Sequence, residues 1–512
     1  MVSKREKVVL AIFIILLLML ITIPLIIASR SGGETNVFGG FLFNPLDSHS
    51  YISKMRQGFQ GSWTFKLAYT LEPADGAFIN IFYLFLGHIA RWFSLPLVFT
   101  FHLFRLLFSA LMFWVLFTFT AKIFSNKTWR WTAFVLASIG SGLGWLGIPF
   151  DLVASDLWVA EMFPFLSANT NAHFPIALAL QLWILMPREN EHITWSKGIK
   201  LSLAIFILTI ISPFGIVLIL AVKIGLLILR WLRKTDWQII LKEVIIIGLF
   251  SGPLLIYYLW ISRDHPVLSI WSSQNLTFSP PPWDLIISLS PALIIAFFAV
   301  KKFWRTDRKE VQTLLVWMIV CILLVYIPFS LQRRFLQGLF IPISLLAIFG
   351  FEAWFEKSPK YKKVSLMLLF FLVVPTNLLL LLTALFGVQR HAPEFYLSRD
   401  EQVAMVWINE NVSVEAHFLA SADIGSYIPS ISQVFVYYGH PFETIDAENK
   451  LQLLEDFYSG KISDPESWLE QSDIEYIFYG PKEQSIGQLS KMLPIMEIYR
   501  SGDVSIFQVI DE

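Results

Sequence analysis

Long apolar runs decide what this chain can fold into. They lie at 8–28, 97–120, 131–149, 171–187, 198–212, 213–230, 239–262, 284–300, 311–329, 335–354 and 364–387. A bilayer-spanning helix needs about 20 mostly apolar residues. Only 15% of the residues are charged and 55% are hydrophobic, against roughly 25% charged in soluble proteins. A soluble enzyme of this length is thereby excluded, and so is a disordered chain, which needs low hydrophobicity and high net charge. The stretch 198–230 is too long for one crossing, and Ser212-Pro213-Phe214-Gly215 breaks it into two short spans. The count is about 11 transmembrane helices.

Charge sets the orientation. The whole chain holds 39 basic and 39 acidic residues, but residues 391–512 hold 6 and 21 of them. The first 390 residues are therefore net positive and the remainder equally net negative. Neutral overall charge gives no support for nucleic acid as a partner. The run 8–28 follows Lys4, Arg5 and Lys7 without an obvious cleavage site, and reads as a retained span with a cytoplasmic N-terminus. With 11 spans the clusters Lys122/Lys127/Arg130, Arg188/Lys197, Arg230/Arg233/Lys234, Lys301/Lys302/Arg305/Arg308/Lys309 and Lys357/Lys360/Lys362/Lys363 all face the cytoplasm. The apolar but short segment 77–93 reads as a juxtamembrane helix, with a twelfth span as the alternative. The outer face then carries loops 29–96, 150–170 and 263–283 and the C-terminal region. Localisation follows as a multi-pass plasma-membrane protein.

Residues 391–512 change character. Strand-length apolar segments at 417–420, 434–438, 475–479 and 504–509 alternate with helical stretches at 400–410, 448–458, 465–471 and 485–493. That alternation predicts a small extracytoplasmic α/β domain, 391–512, after a transmembrane domain, 1–390. It is either a cap with no chemistry or a cover for the membrane site. The lone Cys321 permits no intrachain disulfide, so an exported domain must fold by packing alone. No phosphate-binding glycine loop, Cys-x-x-Cys pair, His-Glu-x-x-His or Gly-x-Ser-x-Gly occurs.

Several polar residues need a reason. Asp47, in Asn44-Pro45-Leu46-Asp47-Ser48-His49-Ser50-Tyr51, is either a helix N-cap or a surface carboxylate acting as general base or metal ligand. Lys54 and Arg56 follow, either as a solvated face or as phosphate ligands. The second outer loop offers Asp156, Glu161 and, at a span's start, His173. Arg105 is the one charge clearly placed inside an apolar run, which makes it a functional candidate. Arg333 and Arg334 lie on the outer side, where positive-inside statistics disfavour them. A lipid phosphate, bound bidentately, is their natural partner, and interfacial snorkelling is the other reading.

Asp47 in the first outer loop, acids in the second, a multi-span body and an α/β tail together resemble the GT-C superfamily of membrane glycosyltransferases, such as protein O-mannosyltransferases and aminoarabinose transferases. Residue-level similarity is confined to a few segments. The resemblance implies that Asp47 is catalytic or metal-coordinating, which makes a divalent metal, Mg or Mn, the cofactor to look for. It also implies that Asp156 or Glu161, with His173, assists metal or acceptor, and that Gln332-Arg333-Arg334-Phe335 meets donor phosphate. Phe104-Arg105-Leu106 looks like the superfamily's Arg-Leu stretch. One departure is that no second acid adjoins Asp47. The implied reaction moves a sugar from a polyprenyl-phosphate donor to a lipid, glycan or protein acceptor, with inversion. A lipid or polysaccharide transporter and a non-catalytic scaffold are the alternatives.

Overall fold

The computed structural model describes residues 2–187, 195–303, 306–355, 359–490 and 493–510. Arg188, Arg305 and Lys357, and positions 491–492 of the expected helix 485–493, lie outside them. The chain divides into two compact units. One comprises 1–24, 102–257 and 277–385; the other comprises 25–101, 258–276 and 386–512.

Every one of the apolar runs contains helix, because in lipid each backbone N–H and C=O must be satisfied within the chain. Among the described residues six helices are long and apolar enough to cross a bilayer: Lys4–Ser31, Leu97–Ile123, Pro213–Leu232, Trp237–Asp264, Gln332–Phe355 and Lys362–Gln389. The pair Pro282–Leu289 and Ala292–Val300 adds a seventh if counted as one span; it is bent by 97° where Pro291 cannot continue a helix. The other four runs form shorter helices. Trp195–Ile211 and Lys309–Val325 have 17 residues each, and His173–Leu185 has 13. The run 131–149 is continuous helix only over Lys127–Ile139. It stops at Gly140, and the N–H groups of Gly142 and Gly144 turn to the carboxylate of Asp156 instead. The 198–230 stretch breaks at Ser212, whose hydroxyl accepts from Gly215 N.

Arg105 has buried charged company in the first unit. Lys223, ten residues into Pro213–Leu232, donates to Glu243 at 2.7 Å, and both are buried. The pair cancels its own charge, which is how two ionic groups persist in an apolar helix bundle. Arg130 likewise donates to Glu6 at 3.0 Å.

The second unit contains the sheets. Strand β1 (Asn36–Phe38) pairs antiparallel with β2 (Tyr396–Ser398). Strands β3 (His417–Leu419), β4 (Phe435–Val436), β5 (Tyr476–Tyr479), β6 (Ile495–Ser501) and β7 (Val504–Val509) form one sheet in the order β4-β3-β5-β7-β6. Strands β3, β4 and β5 are parallel, and β7 runs antiparallel to both neighbours. The helices Arg399–Asn411, Ala447–Tyr458 and Pro465–Gln471 match the expected ones, and Ala422–Ile431 is additional. The expected helix 485–493 is instead Pro481–Ile486, followed after 493 by β6. One core gathers Met405, Ile408, Phe418, Ile424, Ile428, Phe478 and Ile506.

Helix Pro45–Phe59 carries Asp47 and packs on helix Ile81–Trp92, the helical part of segment 77–93. The contact is backbone to backbone. A Cβ at Gly58 would lie 2.0 Å from Leu84 O, and one at Gly87 would lie 1.9 Å from Met55 O. Neither carbonyl can yield without parting the helices. Gly87→Ala is therefore expected to destabilise the protein by roughly 2 kcal/mol or more, read as a lower thermal midpoint in detergent; an unchanged midpoint would show that the helices can separate freely.

Candidate active site

Asp47 is not the cap of its helix. Asn44 occupies that position in a left-handed conformation, Pro45 opens the first turn, and Asp47 stands at the third helical position. There its negative charge faces the positive end of the helix dipole. Asn44 Nδ2 donates to Asp47 Oδ2 at 2.5 Å, and His440 Nε2 lies 3.0 Å from Asp47 Oδ1. The Phe442 backbone N–H donates to His440 Nδ1 at 3.1 Å. Nδ1 is thus the acceptor nitrogen, so Nε2 carries the proton and donates it to Asp47. The Asp47 side chain keeps 38% of its surface exposed while His440 is buried.

The same face of this helix also carries a closed ionic network. Lys54 Nζ donates to Glu443 Oε1 at 2.6 Å and to Ser50 Oγ at 2.5 Å, and Ser50 Oγ donates to the same Glu443 oxygen at 2.5 Å. Burial alone would raise the Glu443 carboxyl, but Lys54, with the Ser50 hydroxyl, holds it below the ordinary carboxylate range. Arg56 Nε donates to Ser430 O at 2.9 Å. The structure therefore commits Lys54 and Arg56 to partners inside the protein. His49 is fully buried over the Tyr427 ring, 3.9 Å between centroids, and burial, aided by Lys482, pushes its imidazole down to about 3.

In the first unit, Glu161 meets both arginines of the basic stretch. Its Oε1 lies 3.9 Å from Arg333 Nε and 3.8 Å from Arg334 Nη1. The Arg333 guanidinium also lies 4.7 Å over the Trp158 ring, and Gly338 N donates to Glu161 O at 2.9 Å. Asp156 stands apart from this cluster. Its Oδ2 accepts from Gly142 N at 3.0 Å, Gly144 N at 3.2 Å and Thr376 Oγ1 at 2.9 Å. Burial raises its carboxyl above the ordinary value, against those hydrogen bonds. A Cβ at Gly144 would lie 2.0 Å from Asp156 Oδ1, so only glycine fits there. Arg105 is fully buried and donates through Nη1 to Ala168 O and through Nε to His102 Nδ1 at 3.3 Å. His173 opens helix His173–Leu185, its ring 4.2 Å from that of Phe174.

Of the residues singled out in the sequence, the structure thus brings together Glu161, Arg333 and Arg334. It gives Asp47 two partners the sequence did not point to, Asn44 and His440. Asp47 alone amounts to one of the four or more ligands a divalent ion takes, since both ring nitrogens of His440 are engaged. Among the described residues no group of three His, Cys, Asp or Glu side chains is placed to hold a metal.

No protein-family model matches the chain, and no curated protein matches its sequence. Solved structures do match in fold. Oligosaccharyltransferase AglB from Archaeoglobus fulgidus, in complex with an inhibitory peptide and a dolichol-phosphate, superposes with a TM-score of 0.57 at 11% identity, over 93% of this chain and 70% of that one. The same species' oligosaccharyltransferase with Zn and sulfate gives 0.52 at 11% identity, over 90% and 67%. ArnT from Cupriavidus metallidurans bound to undecaprenyl phosphate gives 0.50 at 12% identity, over 99% and 98%. The chain shares its fold with these solved structures.

Two predictions follow from the second unit. Lys54→Met or Glu443→Leu alone strands a buried charge and should cost about 3–5 kcal/mol, whereas the double variant should recover most of that; chemical denaturation of all three would show it, and additive losses would refute the pairing. His49 binds a proton near 6.5 when unfolded but only near 3 when folded. Stability should therefore fall as pH drops below about 6.5, and the thermal midpoint of His49→Phe should depend less steeply on pH between 7 and 5.

Proposed function

We propose that this chain is a membrane glycosyltransferase that moves a sugar from a polyprenyl-phosphate-linked donor to an acceptor hydroxyl at the extracytoplasmic face. The observation that carries the reading is the half-exposed Asp47 carboxylate, oriented by two donors within a fold shared with an oligosaccharyltransferase and with ArnT. Those solved structures hold dolichol-phosphate and undecaprenyl phosphate, which supports a lipid-linked donor here.

In this reading Asp47 takes the proton of the acceptor hydroxyl. The freed oxygen attacks the anomeric carbon, and the bond from that carbon to the phosphate oxygen breaks with inversion. The polyprenyl phosphate leaves with the electron pair. Arg333 and Arg334 offset the charge on the departing phosphate, and Glu161 with Trp158 holds them for it. Asp156 keeps the Gly142–Gly144 loop in place and does not touch substrate. Arg105 braces helix Leu97–Ile123 against Ala168. The N-terminus is cytoplasmic, and residues 391–512 lie outside the plasma membrane.

The test uses purified full-length protein in nanodiscs, radiolabelled polyprenyl-phosphate hexose and a cell-envelope extract. Labelled product is expected, and Asp47→Asn should lower its rate roughly 100-fold or more. Undiminished transfer by Asp47→Asn removes Asp47 as the base. No transfer by the wild type from any polyprenyl donor favours a transporter or a scaffold.

A further inference from the structure

His440 comes from the acidic C-terminal segment, 393 residues along the chain from Asp47. Its backbone is fixed on both sides. His440 N donates to Thr444 Oγ1 at 3.3 Å, and His440 O accepts from Glu443 N and Thr444 N at 3.1 and 2.9 Å. The ring is fixed by Phe442 N at Nδ1 and stands beside the rings of Tyr69 and Phe442. A buried imidazole with all but one atom tied down has a single variable left, the direction of its Nε2–H. That bond points at Asp47 Oδ1.

We propose that His440 is a positioning residue for Asp47, setting the plane of its carboxylate for the proton transfer. The proposal rests on the reading of Asp47 as the base. Two donors, one per oxygen, are the minimum that fix a carboxylate against rotation about its Cβ–Cγ bond. Asn44 supplies one from the same helix and His440 the other. Each carboxylate oxygen accepts at two lone-pair sites, so a donor on an oxygen does not by itself bar the acceptor's O–H from it. His440 keeps its own proton throughout. Nδ1 is occupied by the Phe442 N–H, so the ring neither takes a second proton there nor passes its Nε2 proton on. When Asp47 receives the acceptor proton, on Oδ2, Oδ1 becomes a carbonyl oxygen and still accepts from Nε2–H. The orienting bond thus persists on both sides of the proton transfer, and the reaction's atoms balance without any proton leaving His440. In consequence, residues 391–512 supply part of the first-loop site and are more than a cap.

The test measures transfer by the full-length protein in nanodiscs with polyprenyl-phosphate hexose. His440→Phe keeps the ring volume and loses the donor; kcat should drop about 10- to 100-fold, the scale of a misplaced group, with the donor KM within twofold. His440→Gln, whose amide N–H can reach the same oxygen, should restore most of the rate. In an Asp47→Asn background His440→Phe should change kcat little further. A full kcat in His440→Phe, or the same fold-loss in both backgrounds, overturns the proposal. If His440→Phe fails to fold, the imidazole ¹⁵N spectrum of the wild type decides: a proton on Nε2 whose resonance moves in Asp47→Asn supports the pair, and a proton on Nδ1 or an unmoved resonance refutes it. A wild type that transfers nothing sinks the glycosyltransferase reading, while the spectrum still tests the pairing.

Discussion

Desolvation governs this molecule. In the apolar helices no water is at hand, so each backbone group must bond within its own helix and each charge must find a counter-charge or, like Arg105, hydrogen-bond acceptors. Lys223 with Glu243 and Arg130 with Glu6 obey that rule in the first unit. The second unit obeys it with Lys54 and Glu443. A buried pair of this kind adds little net stability, because the desolvation of two ions offsets most of their attraction. Its effect is positional. Once Lys54 is committed to Glu443, helix Pro45–Phe59 has one register against the turn at 440–444, and the turn places His440 over Asp47.

The same constraint separates the acids by role. Asp156, Glu161 and Asp47 are chemically alike, yet the structure treats them differently. Asp156 is buried among two backbone N–H groups and a hydroxyl, with its carboxyl raised by burial. It ends a helix and shapes a loop. Glu161 is spent on two arginines. Asp47 alone keeps a large exposed fraction while its direction is fixed. A general base needs both properties, access to a proton and an orientation that does not have to be found anew in each turnover.

The fold was largely legible in the sequence. Apolar length located every membrane helix, since lipid forces apolar runs into helices whatever their packing. Length did not tell which runs are full spans. The helix of run 131–149 ends at Gly140 because Asp156 draws off the backbone donors beyond it, a contact over 12 and 14 residues that no periodicity records. In the tail, period and length found β3, β4, β5 and β7. They missed helix Ala422–Ile431, whose Gly425 and Pro429 read as breakers. They also missed β6, whose residues stay half-exposed at the sheet edge. Asp47 was legible as an acid without an acidic neighbour in the first outer loop. Its partner was not: His440 reads as an ordinary turn residue, because the signal that makes it matter lies 393 positions away.

That distance bears on how the site is made. A base whose orientation depended only on Asn44, three residues away, would be formed whenever helix Pro45–Phe59 forms. One that also depends on His440 exists only when the five-stranded sheet and the turn after β4 are folded. Residues 391–512 carry a strong net negative charge, which repels acids. His440 approaches the Asp47 carboxylate from this acidic segment as an N–H donor, its Nδ1 already accepting from Phe442 N. A lysine there would pair with Asp47 and weaken it as a base; a second acid would raise its proton affinity but expel it. A neutral N–H donor orients the carboxylate and leaves its charge intact.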